Sequence, residues 1–282
     1  MLRYTIYSRA CQHIETARVN RFSWVDKQRT CSWETQQDPP ELSAGELHLW
    51  WMPLSAAARV TDRLSSLLSE SELARAARFR FDRHRVAYIL GRGTLRRFLA
   101  GYTGVPAGEL AFRVGPHGKP ALAHGVDGRR LCFNYSDAGG YALYGFTWDA
   151  EIGVDLENLD REISYEEIAR RKFSTSESEA IFSLPDEMRK TAFLACWTRK
   201  EGYGKAEGLG IHYSLESVEL CVDCEAERVT LVTSDGDPKN WTLRQIYPNR
   251  RFVGCIVYPT SLDAGGELFF RYFKTSPDMA PE

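Results

Sequence analysis

Two carboxylates one residue apart close an apolar run in EIGVDLENLD, residues 151 to 160, where Asp155 and Glu157 stand. On an extended strand residues i and i+2 face the same way, so this spacing holds two anions side by side. Such a pair repels unless a cation lies between, and hard divalent ions such as Mg²⁺ are commonly held by one or two carboxylates plus substrate phosphates. The competing reading is a solvated strand end, which a bare D-x-E favours because short motifs recur by chance. A second stretch, AFLACWTRKEGYGKAEGLGI at 192–211, reads as a helix anchored by Phe193, Trp197 and Tyr203. Its Glu201 and Lys205 lie at i and i+4 on one face. They form either a surface ion pair of about 0.2–0.5 kcal/mol or a third metal ligand and a phosphate clamp.

Two loops add phosphate-binding chemistry. RVGPHGKPAL, 113–122, is a tight turn shaped by Gly115, Pro116, Gly118 and Pro120 that presents Lys119. Loops of this composition offer backbone N–H groups and a point charge to an anion, although alone the segment is merely a turn. FNYSDAGGYAL, 133–143, is a strand running into a glycine-rich loop, with Asn134 and Ser136 as hydrogen-bond donors.

The elements that must position these residues follow from the pattern. ELHLWWMPL, 46–54, is the first convincing strand, stopped by Pro53. From Ser71 to Gly104 apolar residues recur three and four apart, the period of a helix, and the other face is basic. Short strands follow at 109–114, 131–136, 141–148 and 151–157. The second half repeats the order, with helices near 164–172, 176–183 and 187–206, then strands at SVELCV, RVTLVT, WTLRQIY and RFVGCIVY. Helices then strands, twice, predicts an α+β protein of two similar α/β subdomains. The expected divisions are a polar N-terminal extension at 1–44, subdomains at 45–150 and 151–260, and a tail at 261–282, frayed after Tyr272.

Composition narrows the function classes. A chain of 282 residues with 36 basic and 38 acidic side chains carries a net charge of −2, which gives no whole-protein signal for nucleic acid or a membrane surface. No apolar stretch reaches the length of a membrane span, and MLRYTIYSRACQH lacks the pattern of a secretory signal, so a cytoplasmic protein is expected. The 7 cysteines are scattered and read as reduced thiols. Cys221 and Cys224 form a lone C-x-x-C without the second pair that zinc needs. His84, His117 and His124 read as surface histidines, with His117 close enough to Lys119 in sequence to touch a nucleotide. Arg78, Arg80, Arg83, Arg85, Arg92, Arg96 and Arg97 read as a solvated helix side, or as a surface that attracts an acidic partner.

Taken in order, RFRF, GPHGKPAL, FNYSD, IGVDLE, KFSTSE and CWTRKEGYGKAEGLGI closely resemble the blocks of the 4′-phosphopantetheinyl transferase superfamily, in particular its single-chain, surfactin-synthetase-activating type. The resemblance spans roughly 46–258, and six blocks in order are far more specific than any one. It implies two α/β subdomains related by pseudo-twofold symmetry with the active site at their interface. It further implies Mg²⁺-dependent transfer of the 4′-phosphopantetheine arm of coenzyme A to a serine of an apo acyl or peptidyl carrier protein, releasing 3′,5′-ADP. Such chemistry serves fatty acid biosynthesis and secondary metabolism. Mn²⁺ is the alternative ion, and a monomer is expected. Matching G-[IV]-D-x-E to Gly153–Glu157 makes Asp155 and Glu157 metal ligands. Matching W-x-x-K-E-x-x-x-K to Trp197–Lys205 makes Glu201 the third ligand and a candidate base, and Lys205 a pyrophosphate contact. Lys119 and Pro120, Asn134, Ser136 and Asp137 fall in coenzyme A-binding blocks, and Arg75 falls where a basic residue meets the 3′-phosphate. Glu177 matches a recurrent acid to which the resemblance attaches no role.

Two positions depart from the family pattern. Asp137 replaces the histidine of F-N-x-S-H. An anion about 4 Å from a pyrophosphate charge costs on the order of 4 kcal/mol at a surface-like dielectric. Gly202 and Gly204 replace better helix formers, each costing roughly 1 kcal/mol against alanine, which predicts a looser helix beneath Glu201 and Lys205. The alternatives are therefore a degenerate member that binds coenzyme A or a carrier without efficient transfer, and, from the carboxylates alone, a metal-dependent phosphohydrolase.

Overall fold

The computed structural model describes residues 30–210, 215, 218, 220, 226–232, 238–264 and 268–276. The fold is α+β, with helices against mixed sheets. The described residues divide into two compact units, one of Ser32–Ala150 with Leu268–Ser276, the other of those from Glu151 to Ala264 with Thr30 and Cys31.

In the first unit, β1 (Glu34–Thr35) and β2 (Glu46–Pro53) precede three helices, α1 (Ala58–Ser65), α2 (Glu70–Ala77) and α3 (Asp82–Thr103). A small hairpin of β3 (Phe112–Val114) and β4 (Pro120–Leu122) leads to β5 (Leu131–Ala138) and β6 (Tyr141–Trp148). Strands β2, β6 and β5 pair antiparallel, Trp50 opposite Tyr144 and Tyr135 opposite Tyr144 on its other side. Alternation sends Trp50, Met52, Phe133, Tyr144 and Phe146 to one face, where they bury against Ile89, Leu90, Leu95, Phe98 and Leu99 of α3. Helix α3 ends at Gly104, whose φ of 70° is the left-handed cap that glycine adopts without strain.

The arginines from Arg78 to Arg97, read as one solvated basic side, depart from that reading. Arg78, Arg80, Arg83 and Arg85 are exposed, but Arg96 is 3% exposed and Arg92 13%. Both donate to the carboxylate of Glu72, at 2.5 and 2.6 Å, and flank the ring of Phe112. Their partner lies more than a helix away in sequence, so no spacing rule announces it.

In the second unit, β7 (Gly153–Asn158) precedes α4 (Tyr165–Lys172), α5 (Thr175–Phe182) and α6 (Asp186–Glu207). The strands β8 (Ala226–Val232), β9 (Pro238–Ile246) and β10 (Phe252–Pro259) complete an antiparallel sheet in the order β7-β10-β9-β8. Helix α6 lies across β7 and β10 and is capped by Gly208 at φ 68°. A short helix, α7 (Ser261–Ala264), follows. The strand expected at SVELCV and the pair Cys221 and Cys224 lie outside the described residues, Val218 and Leu220 excepted.

The last strand, β11 (Phe269–Lys274), returns to the first sheet and lies parallel to both β2 and β1. Phe273 is 1% exposed and packs on Trp50, so the expectation of fraying after Tyr272 fails as far as the described chain runs. Apolar alternation in FFRYFK is short and broken by Arg271, which hides a strand whose partners are more than 200 residues upstream. The described part of the N-terminal extension is likewise structured, supplying β1 and the buried Leu42.

Both units use one local device. Ser69 and Glu72 form a capping box at α2, and Ser174 and Glu177 form one at α5. Each glutamate then reaches a basic residue of the long helix that follows, Arg92 and Arg96 in one unit and Lys200 in the other.

Candidate active site

Strand β7 alternates as its sequence requires. Gly153, Asp155 and Glu157 share the face toward α6, and Asp155 and Glu157 are 6% and 8% exposed. Contact with the helix is made backbone to backbone: a Cβ added at Gly153 would lie 1.9 Å from the carbonyl oxygen of Gly202 and 2.5 Å from the nitrogen of Ala206. A Cβ on Gly202 would sit 3.1 Å from Cγ2 of Val257 on β10. The two glycines thus let α6 approach the sheet closely, and α6 runs unbroken through Gly202 and Gly204, both buried. The looseness expected from helix propensity is offset by this packing, which a propensity scale leaves out.

That approach gathers Asp155, Glu157, Glu201 and Lys205. Lys205 Nζ donates to Asp155 Oδ1 at 2.6 Å, which places it on β7 rather than in a surface pair with Glu201. Arg161 Nη1 lies 2.6 Å from both oxygens of Glu157. Burial pushes the Glu201 carboxyl up from its ordinary range, the negative charges of Asp155 and Glu157 add to the rise, and Lys205 opposes it. Burial likewise raises Glu157 against the lowering effect of Arg161. Removing carboxylates from water and setting them within each other's field disfavours their charged forms, and a nearby cation restores them.

The three carboxylates form an oxygen-only, anionic donor set of the kind a hard divalent ion takes. Among the described residues no three His, Cys, Asp or Glu side chains are gathered into a ready-made metal cage. Lys205 and Arg161 instead lie against the strand carboxylates.

The remaining predicted residues belong to the first unit. Lys119 closes the β3–β4 turn, where its carbonyl accepts from Gly115 N–H at 2.9 Å and Gly118 takes φ 93°. Pro120 opens β4 opposite Val114. Asn134 and Ser136 are buried on one face of β5. Asp137 alternates to the other face and is exposed, so strand geometry turns it away from Asn134 and Ser136. Arg75 is exposed on α2, its guanidinium 5.5 Å from the centre of the Tyr88 ring. Glu177 is 1% exposed and bound to Lys200, and sequence reasoning missed that partnership because the two residues lie on different helices. Arg161 was also missed; its i+4 spacing from Glu157 carries meaning on a helix, and here it follows a strand.

Two family models match the chain. The 4′-phosphopantetheinyl transferase superfamily model covers 151–257, and a 4′-phosphopantetheinyl transferase N-terminal model covers 50–145. The 4′-phosphopantetheinyl transferase HetI of Nostoc sp. is 37% identical over 221 residues, covering 78% of this chain and 91% of that protein. The 4′-phosphopantetheinyl transferase psf-1 of Bacillus pumilus is 30% identical, covering 57% of this chain and 66% of its own. The L-aminoadipate-semialdehyde dehydrogenase-phosphopantetheinyl transferase of Homo sapiens is 26% identical, covering 71% and 62%. A strand and a helix that converge buried carboxylates on a lysine, in a chain with these relatives, define a transferase. The chain belongs to the 4′-phosphopantetheinyl transferase superfamily and is a 4′-phosphopantetheinyl transferase.

No helix among the described residues is long and apolar enough to cross a membrane. Cys132, Cys196 and Cys255 are buried.

Proposed function

We propose that the protein transfers the 4′-phosphopantetheine arm of coenzyme A to a serine hydroxyl of an apo acyl or peptidyl carrier protein, in a Mg²⁺-dependent reaction that releases 3′,5′-ADP, and that it is of the surfactin-synthetase-activating type. The carrying observation is the convergence of the buried Asp155 and Glu157 of β7 with Glu201 and Lys205 of α6, Lys205 Nζ lying 2.6 Å from Asp155 Oδ1. Asp155, Glu157 and Glu201 would hold the ion, with Mn²⁺ the alternative. When bound there, it would offset the charge that grows on the leaving group.

The chain's own groups do the rest. The serine oxygen forms a bond to the β-phosphorus of coenzyme A, the bond from that phosphorus to the bridging oxygen breaks, and 3′,5′-ADP leaves. Glu201, made more basic by burial, takes the serine proton. Lys205 leaves Asp155 to meet the pyrophosphate as a point charge. Lys119 with Pro120, and Asn134 with Ser136, hold the phosphates and the adenosine, and Arg75 meets the 3′-phosphate. Positioning and electrostatics dominate, as in other phosphoryl transfers.

The test incubates the purified protein with Mg²⁺, coenzyme A and a panel of fatty-acid, polyketide and nonribosomal-peptide carriers, and reads the phosphopantetheine mass increment. Glu201→Gln lowers the rate by at least about 10²-fold. Absence of the increment on every carrier would sink the reading.

A further inference from the structure

We propose that the buried Glu177–Lys200 pair is the positioning element for Glu201, setting the rotation of α6 about its own axis and tying Leu215, Val218 and Leu220 to that helix. The inference rests on the reading of Glu201 given above.

Lys200 immediately precedes Glu201 and is wholly buried. Its Nζ donates to Glu177 Oε1 at 2.7 Å, to Leu215 O at 2.7 Å and to Val218 O, which uses the three donors an ammonium has. Glu177 is engaged as fully. Its Oε2 accepts from Ser174 N–H at 2.8 Å, closing the capping box of α5, and its Oε1 also accepts from Leu220 N–H at 2.7 Å. Lys200 Nζ lies 5.2 Å from the centre of the Phe173 ring. The network therefore joins the start of α5, the middle of α6 and the chain beyond α6.

Successive residues of a helix point about 100° apart, so holding Lys200 on one side fixes the direction of Glu201. On the other side Gly202 meets β10 directly. The helix is thus pinned immediately before and immediately after the carboxylate. Stability alone does not require a buried ion pair, since well-packed apolar residues of similar volume serve as well or better. Removing one partner is a different matter, because it leaves an uncompensated charge in the interior and is strongly destabilising. That contrast separates the two roles.

The test replaces both partners, Glu177→Met with Lys200→Met. The double variant is expected to unfold at a denaturant concentration near that of the parent, while kcat falls about 10–100-fold and KM for coenzyme A changes less than threefold. Mn²⁺ binding to the coenzyme A-free protein, read by electron paramagnetic resonance, weakens about tenfold. If the double variant does not fold, Lys200→Arg keeps the charge and the donors. Its larger head should lower kcat at least threefold with the fold intact. Parental kcat and Mn²⁺ affinity in the folded double variant, or parental kcat in Lys200→Arg when only that one folds, overturn the proposal. Parental activity in Glu201→Gln instead overturns the reading on which it rests.

Discussion

Substituting Gly153 by alanine is the sharpest single perturbation the structure suggests. Ordinary carbon contacts lie at roughly 3.5–4.0 Å. The new Cβ would stand 1.9 Å from Gly202 O, 2.5 Å from Ala206 N and 3.0 Å from Ala206 Cα, all backbone atoms that no rotamer change can move. Relief requires α6 to withdraw from β7 by about 1.5 Å, judged from the shortfall at the carbonyl oxygen. Overpacking of this kind costs about 1–3 kcal/mol or somewhat more. The functional loss should be larger than the stability loss, because the withdrawal separates Glu201 and Lys205 from Asp155 and Glu157, and a displacement of about 1 Å at a reacting centre costs on the order of 10²-fold. Urea denaturation and steady-state transfer to an apo carrier measure the two effects on one preparation. The expected result is a folded protein less stable by about 2–3 kcal/mol whose kcat falls at least about 10²-fold. An alanine variant with parental stability and turnover would refute the claim that this close approach builds the site.

Other outcomes follow from single side chains. Asp137→His should lower KM for coenzyme A by no more than about fivefold, since exposed charge pairs contribute roughly 0.2–1 kcal/mol; a drop of tenfold or more would place Asp137 against the pyrophosphate despite its strand face. Burial pushes the His48 imidazole down to about 4, against its usual 6.5, with Glu46 opposing the shift. The unfolded chain therefore takes up the proton first as pH falls. Stability is full above pH 6.5 and drops by up to about 3 kcal/mol as pH goes from 6.5 to 4; equilibrium unfolding in that window should flatten in His48→Gln, and an equally steep loss there would assign the effect to other groups.

Much of the candidate site could be read from the chain because its chemistry is local in sequence. Asp155 and Glu157 are brought together by strand alternation, and Glu201 and Lys205 by helix spacing, so period alone places each pair. The side-chain partners of those residues were not legible. Lys205 meets Asp155 and Lys200 meets Glu177 across different elements, and only the packed structure supplies that pairing. The fold class followed from apolar periodicity, yet β11 escaped, because a short strand bearing an arginine gains its identity from the distant β2 it pairs with. Helix propensity misjudged Gly202 for a related reason. Propensity counts what a residue does to its own helix, whereas Gly202 acts on the sheet below it.

The place of β11 inside the first sheet, between β1 and β2, bears on how the molecule is made. A ribosome delivers β2, β5 and β6 first, but that sheet lacks its parallel strand and the core ring of Phe273 until β11 emerges. At about 5–20 residues per second, the stretch from Ala150 to Phe269 takes roughly 6–24 s to synthesise. During that interval β2 offers an unpaired edge, the kind of surface that chaperones cover and that aggregation exploits. Ending the chain within β11 would make that interval permanent, so β11 acts as the closing stitch of a sheet whose other strands are made well before it.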